Sequence, residues 1–270
     1  MKNTYKLLAL FIPVLVSLSS CQKGGNDDDN TNPSCNNTTM KLKKWQATFD
    51  ADNYIETTWN TDGTIRAIKM NTPLSEYRTA TYIYANGKIK EAVLSSNSGN
   101  VIEDTAVFHY NAEGKVDSMY LKHDDYFDIK LTYTNGKLSK YTRYAAGMVM
   151  FYYNVTTDAN DNIIKSEEYW NGGSVFNKES TFTLTRDDRK NPLAGLAPFM
   201  FYLDDGYNIF WYWGPNNYID QRYQDHTGGG LDITSGFKYK YNSNCYPGSS
   251  QTTLAGQVVF VDDDFTFTYY

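Results

Sequence analysis

Along most of the chain, aromatic and aliphatic positions return in a fixed order around short polar turns. In "YIYANGKIKEAV" (82–93), "VFHYNAEGKVDSMYL" (107–121) and "KLTYTNGKLSKYTRY" (130–144), an aromatic residue precedes a polar turn with Gly, and a Lys and an aliphatic residue follow it. Such turns are centred on Gly63, Gly87, Gly114, Gly136 and Asn162, so successive turns lie 24, 27, 22 and 26 residues apart, the length of one hairpin plus the connection to the next. Around Asn86-Gly87 the two positive φ values of a type I′ turn predict that Tyr84 faces Ile89. Around Asn111 to Gly114 a type I turn followed by a left-handed Gly makes a three-residue loop, which predicts Tyr110 opposite Val116. The same counting pairs Trp59 with Ile65 and Tyr133 with Leu138. Away from the turns, Ile129, Leu131 and Tyr133 alternate with Lys130 and Thr132, giving one dry face and one wet face.

This pattern predicts an all-β fold, an antiparallel up-and-down meander of about 12–16 strands in a barrel-like or strongly curled sheet, because an open sheet of that length leaves unpaired edges. Helical periodicity is confined to "NPLAGLAPFMFYL" (191–203), which reads as one short helix. The face opposite the aromatics carries Lys90, Lys130, Lys140 and Arg143 in mid-strand. Each would cost ~2–4 kcal/mol at a bilayer midplane, which argues against a membrane-spanning barrel.

The N-terminus has a different character. Lys2 and Lys6 precede the apolar run Leu7 to Val16, which ends in "LSSC" at Cys21. Small residues before a Cys in this position resemble the lipobox of bacterial lipoproteins, where the preceding peptide is cleaved and the thiol acylated. That resemblance implies a signal peptide over 1–20, lipidation at Cys21 and attachment to a membrane through a lipid anchor. The next segment, Gln22 to Thr39, is almost wholly polar and reads as a flexible tether, so that 21–40 links the anchor to a single hairpin-repeat domain over 41–270. Its acidic run, Asp27 to Asp29, resembles the export signal that sends lipoproteins of gut Gram-negative anaerobes to the outer face of the outer membrane. The expected location is therefore the outer membrane, lipid-anchored, at the cell surface. The net charge is −6, with lysines spread singly, which excludes the clustered basic face that nucleic acid requires.

The repeat, as in "YNAEGKV", resembles the YD repeats of RHS-type surface proteins. The span from Leu42 to Tyr270 is similar to an uncharacterised lipoprotein family whose domain of unknown function has a porin-like fold. The serial hairpins, "DDRKNPLAGL" (187–196), "YKYNSNCYP" (239–247) and the final strand "FTFTYY" carry that resemblance. It implies a barrel on a lipid anchor and no assigned activity. One departure stands out: Cys245 occupies a turn position where the repeat has Gly114, at a cost of order 1–2 kcal/mol for a residue with a Cβ at positive φ. A Cys35–Cys245 disulfide would offset this cost in an exported protein, the alternative being two free thiols.

Candidate chemistry concentrates between Pro192 and Tyr218, where aromatic residues are dense. Trp211, Tyr212, Trp213 and Tyr218, with Asn216 and Asp220 nearby, form a candidate platform for stacking sugar rings or holding a protein partner. Alternation along Phe210 to Trp213 would instead bury half of these rings in the barrel core. "HDDYFD" (123–128) is split between strand faces, and "DANDN" (158–162) lacks the Gly and Glu of a calcium loop. "VDDDF" (261–265) reads as a charged turn. The three histidines, His109, His123 and His226, have no triad or phosphate-loop spacing around them, so no catalytic residue, metal site or cofactor is expected. The expected function is a surface-tethered, non-catalytic β-domain that binds a glycan or a surface protein. The alternative is a glycan-degrading enzyme with acidic residues gathered in the barrel lumen.

Overall fold

The computed structural model describes residues 38–71, 79–96, 102–124, 127–202, 209–258 and 264–270. Its first strands are β1 (Leu42–Ala47), β2 (Tyr54–Trp59), β3 (Ile65–Asn71), β4 (Thr79–Ala85), β5 (Lys88–Ser95), β6 (Ile102–Tyr110), β7 (Val116–Leu121) and β8 (Asp128–Thr134). They continue as β9 (Lys137–Ala145), β10 (Met148–Thr157), β11 (Ile163–Asn171) and β12 (Phe176–Lys190), and after a long connection as β13 (Asn216–Asp225), β14 (Asp232–Tyr241), β15 (Pro247–Leu254), β16 (Gln257–Val258) and β17 (Phe265–Tyr269). From β1 to β15 each strand pairs antiparallel with the next; β15 then pairs with β17, and β17 with β1. The result is a closed barrel of 16 strands, with the two-residue β16 as an extra strand folded back on β15. Leu42 faces Tyr269, so the chain enters and leaves the barrel at the same end as the β2–β3, β4–β5, β6–β7 and β8–β9 turns.

The register follows the turns. Trp59 pairs with Ile65, Tyr84 with Ile89, Tyr110 with Val116 and Tyr133 with Leu138. In each returning strand the residue directly after this pair is unmatched: Arg66, Lys90, Asp117 and Ser139 are bulges. Strict alternation would have sent Glu91 and Lys140 into the lumen. With the extra residue, Ile65, Ile68 and Met70 face inward on β3, and Ile89, Ala92 and Leu94 on β5, each at most 5% exposed. Bulges also raise local twist, which helps a sheet curl into a barrel. Beyond its bulge β9 returns to period two, and Arg143 pairs with the core residues Ile129 and Phe151. Its guanidinium lies 4.3 Å from the ring centroid of buried Phe127. Arg143 is therefore on the inner face, contrary to the outward position that uninterrupted alternation suggests, whereas Lys90 and Lys130 stand exposed outside.

Neighbouring hairpins are joined through the ring of each repeat. The Tyr84 hydroxyl donates to the Ile65 carbonyl (2.8 Å), Tyr110 to Ile89 (2.6 Å) and Tyr133 to Val116 (2.8 Å), so each tyrosine reaches the aliphatic residue just after the preceding turn. Trp59 does the same with its indole N–H, 3.0 Å from the Leu42 carbonyl. The repeat lysine completes the joint from the other side: the ammonium groups of Lys41, Lys88 and Lys115 lie 5.2, 4.9 and 5.3 Å from the ring centroids of Trp59, Tyr110 and Tyr133. Gly114 is required by its φ of +81°, and a Cβ there would also crowd the Lys88 ammonium at 3.1 Å.

The connection between β12 and β13 folds into the lumen. Leu193, Leu196, Ala197, Met200, Phe201 and Tyr202 are all buried. Phe201 stacks on Tyr141 of β9 (5.1 Å, 25°), Phe199 packs against Phe108 of β6, and the Tyr202 hydroxyl donates to that of Tyr82 on β4 (3.0 Å). The expected helix over 191–203 is instead a chain of turns closed by Ala194→Asn191, Leu196→Leu193 and Phe199→Leu196 amide bonds, with one 3₁₀ turn at Ala197–Phe199. Gly195, at φ +80°, and Pro198, which supplies no amide donor, interrupt an α-helix there. A single helical turn, α1 (Ile209–Tyr212), follows.

If the ring-to-carbonyl bonds fasten hairpin to hairpin, replacing Tyr84, Tyr110 and Tyr133 together by Phe should lower stability by about 2–4 kcal/mol, roughly 1 kcal/mol per buried bond. Chemical denaturation of the full chain measures this, and a loss under about 0.5 kcal/mol contradicts it.

Candidate functional site

The six residues of the expected platform are divided by the barrel wall. Trp213 and Tyr218 belong to the core, each 8% exposed. Trp211 stacks on Tyr218 (5.5 Å, 27°) and donates its indole N–H to Gln221, while Tyr212 packs edge-on to Trp45 of β1. Asn216 is tied to Asn162 by two bonds of 2.9 and 3.0 Å and donates to the Arg189 carbonyl. Asp220 points outward. The rings face inward because Arg186 gathers the end of the plug. Its guanidinium donates to the carbonyls of Phe210 (2.5 Å), Trp211 (2.8 Å) and Ile163 (3.0 Å), and burial pushes it down to about 10. Asn191 adds bonds from its side-chain amide to the Tyr212 and Gly214 carbonyls.

The other acidic stretches serve as turn and strand ties. Asp158 Oδ1 accepts the amides of Asn160 and Asn162, and Lys137 donates its ammonium to the Asp158 carbonyl, so "DANDN" is a turn already holding a lysine. His123 lies 3.3 Å from Asp104, with its side chain 74% exposed, and Asp125 falls outside the described residues. Asp264 is buried and accepts the Thr252 amide. In the lumen, Glu168 is held by Tyr153 (2.9 Å), Trp170 (2.6 Å) and Ser180 (2.7 Å), three donors that commit the carboxylate to bracing β10, β11 and β12. Among the described residues no group of three His, Cys, Asp or Glu is arranged to hold a metal.

A more open arrangement lies where the wall is incomplete. The β13–β14 ladder extends only from Asp220 opposite Gly236 to Gln224 opposite Asp232. At its apex the strands touch so closely that a Cβ on Gly236 would meet the Ile219 carbonyl at 1.9 Å. Beyond the apex, the end of β12 breaks register between Arg186 and Lys190, and the Lys190 amide reaches the Cys245 carbonyl (3.1 Å) in the β14–β15 turn. The three segments frame a crevice of about 460 Å³, lined by Asp188, Arg189, Asp220, Phe237, Lys238 and Tyr239, among others.

Asp187 braces this frame. Its Oδ1 accepts the amides of Arg189 (3.0 Å) and Asn217 (3.1 Å), and its Oδ2 accepts the Asn217 side-chain amide (3.3 Å) and the Tyr241 hydroxyl. Burial raises its carboxyl above the ordinary range, against the lowering effect of those donors. Arg189 pairs with Asp188 (3.1 Å) and places a guanidinium nitrogen 3.0 Å from Cys245 Sγ. Cys245 has φ +63°, as its turn position requires, and is disulfide-bonded. Cys35 and Cys21 both lie outside the described residues.

"DDRK" and "YKYNSNCYP" thus meet at one place, joined by the Asp187–Tyr241 and Lys190–Cys245 contacts across more than fifty residues. Sequence reasoning did not place Phe237, Lys238 and Tyr239 at a site. The available signal was five consecutive charged residues, Arg186 to Lys190, closing an unusually long strand, matched by the Tyr-x-Tyr of the next hairpin but one.

A carboxyl held above its ordinary range favours the folded state in its neutral form. That stabilisation is complete below the usual carboxylate range and is lost as pH rises through the raised value. The stability of the full chain relative to its Asp187→Asn variant is therefore expected to fall as pH increases from the acid side of that range toward neutrality. A difference that stays constant across this interval in denaturant titrations would show that burial does not control the group.

No protein-family model matches the chain, and no curated protein matches it significantly. Among solved structures it is similar to a porin-like protein from Bacteroides uniformis ATCC 8492, at a TM-score of 0.55 and 12% identity, over 88% of this chain and 100% of that one. A porin-like protein from Bacteroides vulgatus ATCC 8482 aligns over 86% of this chain and 99% of that one, at a TM-score of 0.44 and 10% identity. At such identities the first likeness is one of fold, and the second carries no argument. The barrel shares the porin-like architecture that the resemblance of the 42–270 span implies.

Proposed function

We propose that the protein is a lipid-anchored surface barrel that does not conduct and that binds a glycan in the crevice between β13 and β14. The lipobox-like "LSSC" and the polar segment after it support the anchor, and the porin-like fold fits an outer-membrane or surface location. Lys130 stands in mid-strand on the outer face, and ion pairs of Glu91 with Lys122 and of Glu167 with Lys165 cover the same face. Such a surface suits water better than acyl chains. The inward β12–β13 segment fills the lumen with Phe199, Phe201 and Tyr202, which argues against passage of solutes.

The crevice carries the reading. Its volume lies within the usual range of about 300–1,000 Å³ for small-ligand sites. It gathers Asp188, Asp220 and Lys238 on the outer face, hydrogen-bonding groups of the kind a sugar engages, while Phe237 and Tyr239, at the alternate positions of β14, turn their rings toward Tyr218, Phe265 and Phe267 behind it. Asp187 has its oxygens fully occupied, so it shapes the site instead of acting on a ligand.

The test is a glycan array probed with the full chain, followed by calorimetry on any glycan retained. Asp220→Ala combined with Lys238→Ala, both at outward positions, should weaken binding by about tenfold or more, as loss of charge-assisted hydrogen bonds does. Absence of glycan binding, or affinity unchanged in this variant, excludes the crevice as a glycan site.

A further inference from the structure

A second surface, independent of the crevice, lies at the opposite end of the barrel from Leu42, on the β9–β10 and β11–β12 hairpins. Met148 and Val175 at these tips are 63% and 65% exposed, and Met150 and Phe176 beside them 37% and 38%. These are large apolar side chains that the core does not use.

Their setting is graded along the strands. Behind the apolar tips, Tyr152 stacks on Tyr169 across β10 and β11 (4.9 Å, 13°), and Phe176 packs against Tyr152 at 5.1 Å. Lysines stand level with the rings and behind them, Lys178 opposite Tyr169 and Lys140 opposite Asn154. Lys140 places its ammonium 3.7 Å from the Tyr152 ring centroid, and Lys165 and Lys178 share Glu167 at 2.9 and 2.7 Å. Two cations therefore share one carboxylate, and a third covers the Tyr152 ring.

Apolar tips, then tyrosines and lysines, is the order in which side chains meet a lipid surface from the acyl boundary outward through the head groups. The excess of lysine matches anionic head groups, which attract such residues over a Debye length. We infer that these two hairpins dock on an anionic lipid surface, with Met148 and Val175 entering it, the tyrosines at its boundary and the lysines on its phosphates. The segment from Cys21 to Thr38 spans up to about 60 Å when extended, roughly twice the length of a ten-residue strand. An anchor at Cys21 and this far end can therefore share one membrane.

Vesicle flotation tests this with the full chain carrying Cys21→Ser, so that acylation does not contribute. The chain should float with vesicles containing phosphatidylglycerol, less so at high salt, and only weakly with phosphatidylcholine alone. Met148→Asp with Val175→Asp should reduce the bound fraction about tenfold or more. Lys140→Gln with Lys178→Gln, which leaves the apolar tips intact, should remove the preference for phosphatidylglycerol. No flotation with anionic vesicles, equal flotation with both vesicle types, or unchanged flotation of the aspartate variant would each overturn the assignment.

Discussion

The first hairpins of this barrel are each held by a ring belonging to the next. A hydroxyl or indole N–H bonds the carbonyl of the preceding hairpin, and at Tyr110 and Tyr133 a lysine from the preceding turn covers the ring. An isolated hairpin is marginal in water, so a repeat of this kind can stand only when its neighbours are present. The same joint recurs where the barrel shuts, with Tyr269 of β17 donating to the Pro247 carbonyl of β15 (2.8 Å). Closure therefore adds no new kind of contact and leaves no edge to protect.

What distinguishes this barrel from a simple ring of repeats lies between β12 and β14. There the repeat is interrupted, the connecting segment turns into the lumen, and the end of β12 crosses toward the β14–β15 turn. Filling the lumen and opening the wall are two results of one departure, since the residues that plug the interior are those that would otherwise have continued the β12–β13 hairpin. Asp187, Arg186 and Asn191 stabilise the departure by satisfying backbone groups that a regular ladder would have paired.

The fold was legible because turn length and Gly placement set register locally. Tyr84 against Ile89 and Tyr110 against Val116 need only the residues between them. The bulges at Lys90 and Ser139 were not legible, since a period-two pattern admits either phase until the partner strand is known. Arg143 was misplaced for that reason. The aromatic density from Phe199 to Trp213 was visible, but whether those rings line a surface or fill a lumen depends on Arg186 meeting carbonyls more than twenty residues away. The crevice was least legible of all, because Asp187 and Tyr241 meet only where the end of β12 leaves its ladder and crosses toward the β14–β15 turn.

The central claim is that ring and lysine act together across successive hairpins. A double-mutant cycle on the full chain with Tyr110→Leu and Lys88→Met measures that cooperation directly. A favourable coupling of about 0.5–1 kcal/mol is predicted from the ammonium-to-ring geometry. Strictly additive losses would contradict it, and would mean that each hairpin stands on its own packing.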